Sequence, residues 1–480
     1  MISKSIRENR ENIINAFHST GDLVAYEFET NSNIKMMAVY FEGFIDRDIF
    51  DRDILKPLIL RLEKPENFKR TIFISQIEKT NSMENIIDRL PNGMIALFME
   101  GINIGYTVEI SKWAKRNIEE PGSESVVRGP KEGFIEDISV NKVLVRRILR
   151  NNNLVFEDYI LGKQTRTSVS LAYIKGIVNE DVLDEVRKRL EKINIDAILE
   201  SGYIEELIED SPRSMFSTIG NVEKPDIIAA KILEGRVAIL TDGTPHVLTI
   251  PKLFVEGLMA SEDYYLRPYY ASFLRLLRYF AMMVTVYLPG VFVALQLYHQ
   301  EMIPTPLLIS AAGAREGAPF PIMIEVFLLT LALELTKESG LRLPKNIGNT
   351  VSIVGALILG QAAVQAGIVS GLTVIVVSAS AISEFIIPEL VQGIVVLRFI
   401  IILLGGVSGL YGVTCGFMII TAYMVSLDSF GIPYCWPIAP RNMEGLTKDT
   451  FTRAPIWKFI FRPAGIEKNN LKRQNINRER

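Results

Sequence analysis

Cysteine is nearly missing from this chain of 480 residues: only Cys415 and Cys435 occur, so neither a disulfide framework nor a CxxC zinc pattern can be built. Histidine is as scarce. His18, His246 and His299 lie far apart, not at the i,i+4 spacing of a helical metal site. The stretch Met1 to Arg10 is charged and has no apolar core, so it does not read as a signal peptide, and the front of the chain is expected on the cytoplasmic side. HExxH, GxSxG and GxGxxG are absent, and Gly162-Lys163 lacks the glycine spacing and Ser/Thr of a phosphate loop. Asp46, Asp48, Asp51 and Asp53 lack the glycine and terminal glutamate of a calcium loop and read as a solvated helix start. No enzyme activity, cofactor, metal or nucleic-acid partner is expected.

What is present is unevenly spread. Residues 1–269 carry 35 Lys and Arg against 43 Asp and Glu, whereas residues 270–480 carry 17 against 12. Charge density halves between the two, so the overall 22% charged composition averages unlike parts. The split argues for a water-soluble front joined to a membrane-embedded back.

In the front, apolar alternation and turn residues give strands and helices in a recurring order. Strands are expected at Ile34 to Phe41, Thr71 to Ser75, Met94 to Glu100 and Tyr106 to Ile110, with helices at Asp46 to Leu60 and Ser82 to Leu90. The order returns as a strand Ser168 to Ile174, helices Asp181 to Ile193 and Ile204 to Asp210, and strands Arg236 to Thr241 and His246 to Ile250. Gly43 pairs with Gly176 and Gly101 with Gly243, which suggests a duplicated α/β unit; chance recurrence of a common order is the plainer alternative. The expected division is a first α/β subdomain (1–120), a linker with a helix (121–150), a second α/β subdomain (151–260), an all-α multi-pass membrane domain (261–430) and a basic cytoplasmic tail (431–480). In the linker, Glu119 to Ser123 and Arg128-Gly129-Pro130-Lys131-Glu132 have the glycine and proline density of an ordered loop, ahead of a helix Asn141 to Ile148.

In the back, Tyr279 to Tyr298 is long enough to span, with Arg275 and Arg278 before it and Pro289-Gly290 as an expected kink. Phe320 to Leu335 carries Glu325 and Glu334, and Lys337, Arg342 and Lys345 read as a cytoplasmic loop. Val351 to Val377 is apolar and rich in small residues. Ile386 to Val425, interrupted by Glu389 and Arg398, suffices for two passes with a break at Gly405-Gly406. Four to six passes are expected, with both termini inside. Glu325, Glu334, Glu384, Glu389 and Arg398 are costly in lipid, so they face protein, water or the interface, either as a structural ion pair or along a substrate route. Ser352, Ala356, Gly360 and Ala363 form a small-residue stripe beside Gln361 and Gln365, a pattern suited to a pore between subunits or to an ordinary packed helix.

Several blocks together resemble a known family. They are Val127 to Phe134 with Asn141 and Arg146-Arg147, Glu262-Asp263-Tyr264-Tyr265, Ala314 to Pro321 with Glu325, Arg342-Leu343-Pro344, Gly360 to Val364, and Ser429 to Tyr434. Over about residues 20–463 the chain resembles the A subunit of the GerA-type spore germinant receptors. One departure is Gly371 after Ser370, where the family often has proline. The resemblance implies a multi-pass protein of the spore inner membrane with both termini on the core side. It further implies a permease-like B subunit, a lipoprotein C subunit and a homo-oligomer of A subunits around a nutrient-gated ion pore, in contact with membrane lipid. Gln361, Ala363, Val364 and Gln365 are then candidates for the pore or gate. A secondary transporter is the alternative, although no inverted repeat is visible.

Overall fold

The computed structural model describes residues 1–74, 76–110, 128–315, 317–342, 355, 360–463, 465–466 and 470–473. The helix α1 (Ile6–Ala16) leads into a hairpin of β1 (Leu23–Glu29) and β2 (Lys35–Phe41), paired from Leu23↔Phe41 to Glu29↔Lys35. Side chains on β2 alternate between two cores. Met36, Ala38 and Tyr40 join Phe50, Ile54 and Leu58 of the helical stretch Arg47–Arg61, while Met37, Val39 and Phe41 join Ile6 and Ile13 of α1 and Ile86 of α2 (Met83–Arg89). A strand covered on both faces needs apolar residues at every position, which is why this run does not alternate with polar ones.

With β3 (Ile77–Thr80), β4 (Met94–Met99) and β5 (Gly105–Glu109), the first sheet has the order β1-β2-β4-β5-β3, antiparallel throughout. A second sheet of β6 (Leu154–Leu161), β7 (Thr167–Ile174), β8 (Gly220–Val222), β9 (Val237–Thr241) and β10 (Val247–Ile250) has the order β6-β7-β9-β10-β8. The two orders superimpose strand for strand. Gly43 and Gly176 follow β2 and β7 with φ of 77° and 82°, and Gly101 and Gly243 follow β4 and β9 with φ of 83° and 86°. Left-handed turns at matching corners require glycine. The shared order and matching corners favour duplication over chance. Around the second sheet lie α4 (Glu180–Glu191), α5 (Ser201–Ile208) and α6 (Pro225–Leu233).

One expected strand is displaced. Thr71 ends a helical turn, Phe68–Thr71, and the edge strand is Ile77–Thr80, paired with β5; Ser75 lies outside the described residues. The β-branched run Thr71-Ile72 has strand propensity, but the polar Ile77-Glu78-Lys79-Thr80 takes the edge because backbone pairing decides there.

Between the sheets stands α3 (Ile138–Ile148), started by Asp137, whose side chain accepts from the N–H groups of Ser139 and Val140. Its Arg146 is 0% exposed. Nε donates to Asp22 Oδ2 at 2.6 Å, and Nη2 to Asp22 Oδ1 at 2.9 Å and to the Leu154 carbonyl at 3.1 Å. The guanidinium also lies 4.1 Å from the Phe41 ring centroid and 5.2 Å from that of Phe156. One cation therefore ties the first hairpin to the second.

The back half is helical: α7 (Pro268–Tyr298), α8 (Thr305–Ala314), α9 (Ile322–Leu341), α10 (Gly371–Glu384) and α11 (Val391–Ser426). Among the described residues, two helical segments, Pro268–Tyr298 and Pro388–Ser426, are long and apolar enough to cross a membrane. The break within α11 falls at Gly409 (φ 61°, ψ −148°), not at the expected Gly405-Gly406. There the chain turns back on itself. A Cβ on Gly416 would lie 2.7 Å from Ile401 Cδ1, and one on Gly412 2.3 Å from the Leu404 carbonyl oxygen. In a straight helix Ile401 and Gly416 would stand about 22 Å apart. Gly405 lacks room for another reason: a Cβ there would meet the Gly290 carbonyl oxygen of α7 at 2.4 Å.

The second sheet and the helices share one apolar core. It runs from Leu171 and Ile239 through Phe254 and Leu258 to Leu390, Ile394 and Ile401, and takes in Tyr434, Cys435 and Ile466. Part of the segment expected as a basic tail is thus docked. Asn179 Nδ2 donates to the Ile466 carbonyl at 2.8 Å and Arg462 Nε to that of Leu233 at 2.8 Å. Residues 464, 467–469 and 474–480 of that segment lie outside the described residues.

Candidate functional site

The segment of the candidate gate residues ends in a tight turn. Residues 360–365 are helical, and Gly367 takes φ 68°. Its N–H reaches the Val364 carbonyl at 3.0 Å, and that of Ile368 reaches Ala363 at 2.9 Å, the paired closure of a Schellman cap. Gln361, Val364 and Gln365 are exposed and Ala363 is half-buried. Ser352 and Ala356, the lower part of the stripe, lie outside the described residues.

Ser370 then caps α10, its hydroxyl accepting from the Thr373 N–H at 3.3 Å. Glu325, fully buried in the first turn of α9, accepts from the Ser370 N–H, and Arg315 stands 3.9 Å from its carboxylate. An anion at this helix start is favourably placed against the helix dipole. Gly371 occupies the first helical position, where proline is preferred, and Ser370 (φ −77°, ψ 149°) is already in the extended conformation that a following proline demands. A Cβ on Gly371 would meet nothing within 4 Å. Gly371→Pro is therefore expected to stabilise the chain by about 0.4–1 kcal/mol, read as a higher melting temperature in detergent. A lower one would show that the turn needs glycine.

Glu334 and Arg398 meet in a larger cluster than the sequence suggests. Arg398 donates to Glu384 Oε2 at 3.0 Å and to Glu334 Oε1, and Lys337 Nζ reaches Glu384 at 2.8 Å and Glu334 at 3.0 Å. Each carboxylate meets both cations, so two positive and two negative charges cancel across α9, α10 and α11. Lys337 is corrected from a cytoplasmic loop to this cluster; its place three residues after Glu334 was the available signal. Arg342 pairs with Glu338 on the exposed end of α9, and Lys345 lies outside the described residues. Glu389 is separate, 3.7 Å from Lys252.

The expected interdomain loop reaches the foot of α7. Arg128 and Pro130 are exposed, and Glu132 pairs with Arg147. Gly129 has φ 141°, and a Cβ there would stand 2.8 Å from the Tyr265 ring. The Arg128 N–H points to Glu262 Oε1 at 3.4 Å. Two sequence blocks far apart in the chain thus touch. Beneath them Asp263, fully buried, holds both Arg275 (2.9 Å) and Arg278 (2.8 Å), so these arginines are ion-paired rather than simple flanking charges. Arg275 also donates to Asp449 Oδ1 at 2.8 Å, and the Tyr264 hydroxyl to Asp449 Oδ2 at 2.9 Å. Burial and the neighbouring Asp449 push the Tyr264 phenol well above its usual range, so it stays a donor. The sequence gives no hint of Asp449 as a partner, because it lies 174 residues from Arg275.

Comparison with known proteins now bears on this geometry. Residues 11–465 match the profile described as "Bacillus/Clostridium GerA spore germination protein". The chain is 41% identical to the "Uncharacterized membrane protein YfkQ" of Bacillus subtilis (strain 168), over 98% of this chain and 93% of that one. It is 39% identical to "Spore germination protein KA" of the same organism, over 99% and 89%. A crystal structure of the N-terminal domain of the A subunit of the Bacillus megaterium spore germinant receptor GerK3 is 33% identical, with a TM-score of 0.41 over 53% of this chain and 97% of that one. With a match that runs nearly end to end, the chain belongs to the GerA family of spore germination proteins, as a germinant-receptor A subunit.

Proposed function

We propose that this A subunit assembles with copies of itself into an ion-conducting pore of the spore inner membrane, opened when a nutrient binds a complex with permease-like B and lipoprotein C subunits. One observation supports this reading above the others. Gln361 and Gln365 lie one helical turn apart on the outer surface of a single chain, within an otherwise apolar helical region. An amide facing hydrocarbon lacks hydrogen-bond partners, so these two call for another subunit or for water. Multiple crossings fit the same picture. The α11 hairpin supplies two antiparallel arms, and its turn at Gly409 packs against Tyr298 and His299 at the end of α7, with a Cβ at Gly409 only 3.0 Å from His299 Cε1. An even number of crossings keeps both ends on one side.

Nutrient binding elsewhere in the complex then shifts the oligomer from closed to open, by binding the open form more tightly. Val364, 40% exposed beside the two glutamines, is the candidate gate. Val364→Asp is expected to raise ion leak severalfold in the reconstituted receptor. An Asp there escapes the roughly 2.5–3.5 kcal/mol cost of a charge at the bilayer centre only where the helix lines water, as a pore requires. Conductance recorded with and without B and C subunits and nutrient tests this. A leak equal to wild type at equal protein level removes this helix as the gate.

A further inference from the structure

At the foot of α7 lies an open cleft of about 540 Å³, lined by Arg128, Tyr264, Tyr265, Arg267, Arg453 and Trp457. Three of these are arginines. The carboxylates beneath are already engaged: Asp263 by Arg275 and Arg278, and Asp449 by Arg275 and Tyr264. Arg453 is the unusual member. It is 4% exposed; its Nη2 donates to the Tyr264 carbonyl at 3.0 Å, while its Nε is buried without a partner among the described residues. A buried guanidinium N–H left unpaired costs free energy that an anionic acceptor in the cleft would recover.

The surroundings select the anion. Pro268, on the cleft wall, begins a helical segment long and apolar enough to cross a membrane. Tyr269, at 91% exposure, Tyr270 and Phe273 stand uncovered on the first turns of that helix. Exposed aromatic rings beside clustered arginines, at the start of an apolar helix, match the headgroup level of a bilayer, where rings sit and cations meet lipid phosphates. The cleft is also much larger than one water-sized site and open on the outside. We propose that it binds the phosphate of an anionic phospholipid headgroup, with Arg453 as the buried contact and Arg128 and Arg267 at the rim. The proposal rests on the reading that α7 crosses the membrane.

The test uses the full chain in phosphatidylcholine nanodiscs carrying a minor share of phosphatidylglycerol, with protein-retained lipid measured by mass spectrometry after mild detergent extraction. The wild type is expected to retain phosphatidylglycerol over phosphatidylcholine, with about a fivefold loss of that preference for each of R128Q, R267Q and R453Q. Arg128 and Arg267 are exposed, so their variants fold even if R453Q does not. An unchanged preference in R128Q/R267Q, with the chain inserted in the disc, overturns the cleft and leaves the crossing of α7 intact. A chain that enters discs of no composition overturns both. Release of the retained lipid by millimolar inorganic phosphate in detergent would make this a free-phosphate site and overturn the lipid source.

Discussion

Arg146→Met is expected to lower the stability of the front half by about 3–5 kcal/mol, the cost of stranding a buried charge. The substitution keeps the apolar stem and removes the fork that holds both Asp22 oxygens. Asp22 is itself buried, and among the described residues its carboxylate would keep only the Thr20 hydroxyl at 2.6 Å. The loss should show first at the seam between the sheets. There the Gly21 N–H donates to the Phe156 carbonyl at 2.8 Å, and the Phe156 N–H to Thr20 Oγ1 at 3.0 Å. Hydrogen exchange on those two amides, with chemical denaturation of the full chain, gives the measurement. Arg146→Lys should fall between, because an ammonium cannot grip two oxygens in one plane. A change below about 1 kcal/mol for the methionine variant would mean the sheets hold together without this contact.

The second large effect is expected from Arg398→Met, at a similar cost of about 3–5 kcal/mol. The variant leaves Glu334 and Glu384 to share Lys337 alone, within a site where Arg398 is almost fully covered. Adding Glu384→Gln restores the balance of one cation to one carboxylate and should recover a substantial part of the loss. Resistance to protease in detergent, with thermal unfolding, separates the single from the double variant. Equal behaviour of the two would show that charge balance is not what secures these helices.

The residues that declared themselves in the sequence are those whose role is local. The uninterrupted apolar run of β2, the glycines at corresponding corners and the apolar lengths of α7 and α11 depend on neighbours in the chain, and each was readable as such. The strands β1 and β6 were not expected, because their half-exposed, mixed patterns resemble loop. The position of the α11 turn was missed because Gly405 and Gly409 look alike in sequence; only the approach of Gly290 to one and the backbone angle of the other separate them. For the candidate site, Glu334, Glu384 and Arg398 were legible as costly charges, and Lys337 stood three residues after Glu334. That the three helices bring them together was not legible, since pairing across 47 or 64 residues leaves no periodic trace. The same holds for Asp22 with Arg146, whose sequence separation is 124.

The apolar core that the second sheet shares with the helices has a mechanical consequence. Close-packed side chains resist compression and pass strain onward. With Leu390, Ile394 and Ile401 seated in the same cluster as Leu171 and Ile239, no slack connector separates the two regions. A tilt of the helix bundle must therefore carry the second sheet with it as a lever arm. Through Arg146 and the hydrogen bonds between Gly21, Thr20 and Phe156, that lever also pulls on the first sheet.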